Sequence, residues 1–244
     1  MPALSPYRSE LPYSYAPGVF PSLALMKAAP QRARRLLLSQ QAQGEGIQKL
    51  RGICAQYQVR EEFADKALRR ISGKENCFAA LVFDKWQDEL MAMASHVVLV
   101  SPMDEGNLGT IQRTLLGFHI LDLAIIRPAV DIFTPHGIRS SMGAVFSLRV
   151  KEYEDFESYR KSFPCHALYP FMLDGAETLK EAAALTRQPY SLIFGNEGSG
   201  LPQEFSTLGQ TVRIPHSDAI DSLNLAVAVA IGAYAFVHGS REEW

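Results

Sequence analysis

Tyr190-Ser191-Leu192-Ile193-Phe194-Gly195-Asn196-Glu197-Gly198-Ser199-Gly200-Leu201-Pro202 is the stretch that decides the fold. Its first five residues form a compact, mostly apolar run, the pattern of a strand buried on both faces. The glycines that follow let the backbone take positive φ angles and come close to a ligand. A plain turn does not need Asn196 and Glu197 inside it. A buried strand that delivers such a loop belongs to an α/β sheet, where ligands sit beyond the carboxyl ends of strands. The glycine spacing fits neither Gly-x-Gly-x-x-Gly nor a P-loop, because no Gly-Lys-Ser/Thr follows.

Outward from this stretch the same alternation repeats. Val97–Val100, Leu123–Ile126, Ala144–Leu148, Ala167–Leu173 and Thr211–Ile214 read as strands. Leu108–Phe118, Phe156–Phe163, Glu177–Leu185 and Leu223–Val237 read as helices. Apolar strands alternating with helices predict a mostly parallel sheet with helices on both faces. Before residue 92 the pattern is a smaller α/β unit. The five prolines within residues 1–21 predict an irregular lead-in. Leu23, Met26, Ala29, Ala33, Leu36 and Leu37 have helical spacing. Ile47–Cys54 and Phe63–Ile71 read as further helices, Gln58–Arg60 and Phe78–Phe83 as strands. We expect two domains, residues 1–92 and 93–244.

The composition, 47% apolar and 20% charged over 244 residues, is that of a globular chain. The net charge of −2 is unevenly spread. Residues 1–92 carry 13 Lys/Arg against 9 Asp/Glu, and residues 93–244 carry 11 against 17. A polyanion would meet the first part more readily. The longest apolar run, Leu225–Val237, is too short to span a bilayer. No apolar signal core opens the chain, so a cytoplasmic location and no membrane partner are expected. Cys54, Cys77 and Cys165 are scattered without a Cys-x-x-Cys pair, so no disulfide framework and no metal site are expected.

Two other segments follow strands and carry polar residues. Glu105-Gly106-Asn107-Leu108-Gly109-Thr110-Ile111-Gln112-Arg113 leads into a helix for which Asn107 is a natural N-cap. Ile214-Pro215-His216-Ser217-Asp218-Ala219-Ile220-Asp221-Ser222-Leu223-Asn224 leads into the Ala/Val-rich helix, which Ser222 or Asn224 would cap.

In this order the three segments resemble the three motifs of the SpoU/TrmH family, within the SPOUT superfamily of RNA methyltransferases. The match is Asn107-x-Gly109-x-x-x-Arg113, then Gly195-Asn196-Glu197-Gly198-Ser199-Gly200-Leu201, then Ile214-Pro215 with Ser222-Leu223-Asn224. Arg139–Phe146 is similar to the family as well. Residues 17–90 resemble its accessory substrate-binding domain, whose fold is like that of small RNA-binding ribosomal proteins. The resemblance implies a C-terminal trefoil knot, a rare exception to unknotted chains. It also implies a homodimer with active sites at the subunit interface, and S-adenosylmethionine as cofactor. Gly195, Asn196, Gly198, Gly200, Ile214 and Leu223 become the cofactor residues. Arg113, Asn107, Glu197, Ser222 and Asn224 become the catalytic set. His216 and Asp218 depart from the family pattern, which usually has Met and Gly there.

The implied activity is methyl transfer to a ribose 2′-hydroxyl of RNA, ribosomal RNA before transfer RNA. Rival readings are a non-catalytic RNA-binding protein that keeps the fold, a base methyltransferase and an unrelated nucleotide-binding enzyme. Because a guanidinium stays protonated, Arg113 is expected to grip the neighbouring phosphate and polarise the hydroxyl rather than act as a base. Arg32, Arg34, Arg35, Arg69, Arg70 and Lys74 are the candidates for recruiting RNA.

Overall fold

The computed structural model describes residues 5–73, 76–184 and 186–239. They form two compact units: residues 1–86 with 131–147, and residues 87–130 with 148–244. The division differs from the expected cut at residue 92, because residues 131–147 pack with the first unit.

The first unit begins with β1 (Tyr13–Pro17), α1 (Val19–Ala28), β2 (Ala33–Leu38), α2 (Glu45–Gln56), β3 (Arg60–Phe63), α3 (Asp65–Ser72) and β4 (Ala79–Asp84). The second unit opens with β5 (His96–Val100), α4 (Glu105–Gly117) and β6 (Asp122–Ile126). The chain then gives α5 (Pro135–Ser140) and a 3-10 turn, Ala144–Ser147, to the first unit. The rest of the second unit is β7 (Arg149–Tyr153), α6 (Phe156–Ser162), β8 (Ala167–Pro170), β9 (Glu177–Thr178), α7 (Leu179–Ala184), β10 (Tyr190–Phe194), β11 (Val212–Arg213) and α8 (Leu225–His238).

In the first unit the sheet order is β1-β4-β2-β3, with β4 antiparallel to both neighbours and β2 parallel to β3. Several expectations fail here. The proline-rich lead-in contains β1, an edge strand, where a residue without an N–H is tolerated. The helix expected through Leu37 ends at Ala28, and Pro30 opens a 3-10 turn instead of extending it. Beyond it Leu36, Leu37 and Leu38 are all buried in β2, between two strands. A short run buried on every side has no period that separates strand from helix. The same ambiguity explains Ala144–Leu148, which is a 3-10 turn and not a strand. Its Phe146 ring lies 5.2 Å from Phe83 and 5.9 Å from Trp86. Before this turn Gly143 has φ +82°, and an added Cβ would lie 3.0 Å from Pro21 Cα. Helix α5, capped by Thr134 with Pro135 at its first turn, has no counterpart in the sequence reading.

Division by packing sharpens the charge split. The first unit carries 14 Lys/Arg against 8 Asp/Glu, the second 10 against 18.

The second unit is built on a parallel five-stranded sheet, β7-β6-β5-β10-β8. One face buries Val98, Ala124 and Ile193 under Tyr159 of α6 and the adjoining Phe163. On the other face α8 packs on β10, and its Phe236 ring lies 4.8 Å from Tyr169. From β5 the chain moves outward through β6 and β7, then crosses to the far side for β8 and β10. β5 and β10 therefore flank the point where the strand order reverses, and their carboxyl ends open the crevice where such sheets bind ligands.

The opposite ends of these strands carry a buried polar cluster. His96 Nε2–H donates to the Met91 carbonyl at 2.9 Å, and His166 Nε2–H to the Ala92 carbonyl at 3.0 Å. Burial lowers the imidazole pKa of both, that of His96 to about 4. A depressed histidine contributes stability that is present above the unfolded pKa of about 6.5 and is lost as pH falls towards 4. We predict a loss of about 2 kcal/mol from His96 between pH 7 and pH 5. Chemical-denaturation midpoints at the two pH values check this; His96→Gln flattens the dependence, and an unchanged slope in that variant contradicts it.

Candidate active site

Three loops meet at the crevice. After β5 the chain runs through Ser101 to Asp104, whose carboxylate caps α4 by accepting the Asn107 N–H at 2.6 Å. The expected cap, Asn107, thus lies inside the first turn. The helix starts earlier than expected because Asp104 and Glu105 both suit a helix N-terminus. Its side chain is therefore available to the other two loops.

After β10, the loop Gly195–Gly200 closes on itself. Asn196 N–H donates to the Gly200 carbonyl at 3.2 Å and Gly200 N–H returns to Asn196 at 3.0 Å. The Asn196 side chain accepts from Gly198 N–H at 2.9 Å and donates to the Ser101 carbonyl at 2.8 Å, tying this loop to the one after β5. The close return leaves no room at Gly195, where an added Cβ would sit 2.1 Å from the Gly200 carbonyl carbon.

Glu197 is the hub. Its carboxylate accepts from the backbone N–H groups of Met103 and Asp104 at 3.2 and 3.1 Å. It also accepts from the Asn196 and Asn107 side-chain amides at 3.2 and 3.5 Å. Asn107 then accepts from the Asn224 side-chain amide at 3.0 Å. Asn224 in turn caps α8, accepting from Ala226 and Val227 N–H groups at 2.9 and 3.3 Å. One polar chain thus links Glu197, Asn107 and Asn224 across three loops far apart in sequence.

Beside it lies a cavity of about 350 Å³, of ordinary size for a small-molecule site. Gly195, Asn196, Glu197, Gly198, Gly200, Ile214, Ser222 and Leu223 all line it. Phe171 and Phe194 line it too, with rings stacked at 4.2 Å. An added Cβ at Gly200 would meet nothing within 4 Å, so bare backbone there faces open space. Apolar rings, open glycine backbone and main-chain polar groups fit a nucleoside with an amino-acid tail. S-adenosylmethionine is such a molecule, so the residues present fit it.

Phe171, Asp174 and Gln203 are among the lining residues that sequence reading missed. Asp174-Gly175 just after a strand was the available signal for Asp174. His216 also lines the cavity, and its Nδ1–H donates to the Ile214 carbonyl at 2.9 Å. Arg113 is apart from this group. It is exposed on α4, outside the cavity lining, and no hydrogen bond or ion pair holds it among the described residues. It lies about 9 Å along the helix axis from Asn107.

The candidates for RNA recruitment fall into two sets. Arg34 pairs with Asp84, Arg35 with Glu62 at 3.2 Å, and Arg32 lies over the Trp86 ring at 5.8 Å. Arg69 and Arg70 are exposed in the last turn of α3. Lys74 lies outside the described residues. Among the described residues no group of three or more His, Cys, Asp or Glu could hold a metal ion, and no helix is long and apolar enough to cross a membrane.

Comparison with known proteins gives this arrangement a family. The model of the SpoU rRNA Methylase family matches residues 94–234. A 23S rRNA (uridine(2479)-2′-O)-methyltransferase of Streptomyces viridochromogenes is 33% identical over 153 residues, 58% of this chain and 51% of that protein. An uncharacterised tRNA/rRNA methyltransferase of Synechocystis is 29% identical over 170 residues, 68% of this chain and 60% of that protein. The chain thus spans between half and three-fifths of the length of these curated relatives. Among solved structures, the AdoMet-bound rRNA methyltransferase of Sinorhizobium meliloti superposes with a TM-score of 0.79 at 23% identity, covering 94% of this chain and 88% of that one. With more than half of its length matched by the family model, the chain belongs to the SpoU rRNA Methylase family, whose cofactor is S-adenosylmethionine.

Proposed function

We propose that this protein is an S-adenosylmethionine-dependent RNA methyltransferase that modifies a ribose 2′-hydroxyl, with ribosomal RNA as substrate. The observation that carries the reading is the Glu197–Asn107–Asn224 chain, which joins the three motif loops at the mouth of one cavity. When bound, the cofactor supplies an electrophilic methyl group on a sulfonium centre.

The chain's own residues then have three tasks. The first is binding, by Gly195, Asn196, Gly198, Gly200, Ile214 and Leu223 around the cofactor. The second is orientation: Glu197 fixes the loop after β5 through two backbone amides, and Asn107 and Asn224 hold the polar wall with Ser222. Transfer needs the hydroxyl oxygen held about 3–3.5 Å from the methyl carbon. The third is anion binding, by Arg113, whose planar fork suits a phosphate beside the target ribose.

Arg113 lies outside the lining of its own cavity, which supports a homodimer in which each subunit completes the other's site. Val227, Ile231 and Tyr234 support it as well. They lie four and three residues apart on α8, so they share one face, and Val227 and Tyr234 are 46% and 43% exposed. The trefoil knot belongs to the same reading. Close backbone crossings favour it: an added Cβ at Gly175 would lie 2.5 Å from the Val212 carbonyl carbon.

The first unit, as an RNA-binding domain, would bring the substrate in by its excess of positive charge. Arg69→Glu with Arg70→Glu should weaken RNA affinity and make its log–log salt dependence shallower by about 2. Filter binding over a salt series measures this; an unchanged slope means that neither arginine meets phosphate. Transfer RNA is the second substrate reading, since the name of the Synechocystis relative gives it beside ribosomal RNA. Mapping 2′-O-methyl sites in total RNA from cells with and without the protein decides between them. Loss of a site in ribosomal RNA is the expected result, and loss only in transfer RNA selects the alternative. No lost 2′-O-methyl site in either RNA contradicts the ribose reading.

A further inference from the structure

The cavity has an unusual charge inventory. Among the described residues its ionisable lining groups are Asp174, Glu197, His216 and Asp221, with no lysine or arginine. Glu197 is committed to the loop network already described. Asp174 and Asp221 are different: both are exposed to solvent, and no hydrogen bond or ion pair holds either among the described residues. They come from different parts of the chain, Asp174 from the segment between β8 and β9 and Asp221 from the segment before α8. His216 is turned to the backbone, its Nδ1–H donating to the Ile214 carbonyl. The whole second unit has the same sign, with an excess of eight acidic residues.

This wall suits a cation. S-adenosylmethionine carries a carboxylate, an ammonium and a sulfonium, and so one net positive charge. Transfer to a ribose hydroxyl would break the sulfur–methyl bond, form an oxygen–methyl bond and release the hydroxyl proton to solvent; the electron pair would stay on sulfur, so S-adenosylhomocysteine has no net charge. The shapes are nearly the same, so the charge on sulfur is the main difference a pocket can read. We propose that Asp174 and Asp221 are specificity-determining residues that make the cavity prefer the sulfonium cofactor over its neutral product. Turnover itself then weakens the product's hold and favours its release. The inference rests on the cofactor reading above.

Calorimetry on the full chain with S-adenosylmethionine and S-adenosylhomocysteine tests it. The parent protein should bind the sulfonium form severalfold to about tenfold more tightly, the range expected from two partly exposed carboxylates. Raising NaCl from 50 to 500 mM should shrink that ratio, because exposed charges are screened. Asp174→Asn with Asp221→Asn should bring the ratio near one by weakening the sulfonium form, with product affinity unchanged within about twofold. If both ligands weaken in parallel, the carboxylates hold a shared group such as the ribose hydroxyls, and the proposal is overturned. It is also overturned if the parent binds both ligands equally, or the product more tightly. If neither ligand binds, the cofactor reading itself fails, and this inference with it.

Discussion

Arg113→Ala should lower methyl transfer to the true RNA substrate by about 10³-fold while S-adenosylmethionine affinity stays within about twofold. The magnitude is that of removing one well-placed charged donor from a developing transition state. The separation of the two effects follows from geometry, because Arg113 does not line the cavity. Arg113→Lys keeps the charge but loses the planar fork, so it should recover only part of the rate. Single-turnover rates with calorimetry on the same samples read both quantities. Wild-type turnover in Arg113→Ala removes the residue from the mechanism. A parallel loss of cofactor binding places it in the cofactor site instead.

Gly195→Ala should abolish detectable cofactor binding. The new methyl group would be 2.1 Å from the Gly200 carbonyl carbon and 2.3 Å from Leu201 N. Those are backbone atoms, so no side chain can swing aside. The loop must open, and the Asn196–Gly200 backbone pair and the Asn196 anchor to Ser101 are strained together. Overpacking of this kind typically costs about 1–3 kcal/mol. Thermal melts should therefore fall by several degrees while the second unit still folds on its parallel sheet. Gly198→Ala is the control: its added Cβ meets only the Asn196 Oδ1 at 3.6 Å, so stability should be unchanged. Equal melts and equal affinities for the parent and Gly195→Ala would mean that the loop is not closed as described.

The two substitutions also mark what the sequence disclosed. The parallel sheet was legible because Val97–Val100 and Leu123–Ile126 are unbroken apolar runs and Tyr190–Phe194 is interrupted only by Ser191, with helical spacing between them. The polar loops at their carboxyl ends were legible for the same reason; the cap of α8 was narrowed to Ser222 or Asn224, and the structure assigns it to Asn224. Asn107 was misread as a cap because Asn, Asp and Ser compete for that role, and only the course of the loop assigns it to Asp104. The first unit was harder. Leu36–Leu38 and Ala144–Phe146 are short and buried, and their apolar residues carry no usable period. The packing of residues 131–147 with the first unit is a long-range choice that no local pattern records. The charge partners of Arg34 and Arg35 are equally invisible in sequence, since Asp84 and Glu62 lie on neighbouring strands.

The most direct test is chemical. Incubate the purified protein and total RNA with S-adenosylmethionine labelled in its methyl group, digest the RNA to nucleosides, and separate them. Label recovered in a 2′-O-methylnucleoside, and lost with Arg113→Ala, is the expected result. Label on a base, or no label in RNA although the cofactor binds, would contradict a pocket in which three loops hold a methyl donor against a sugar oxygen.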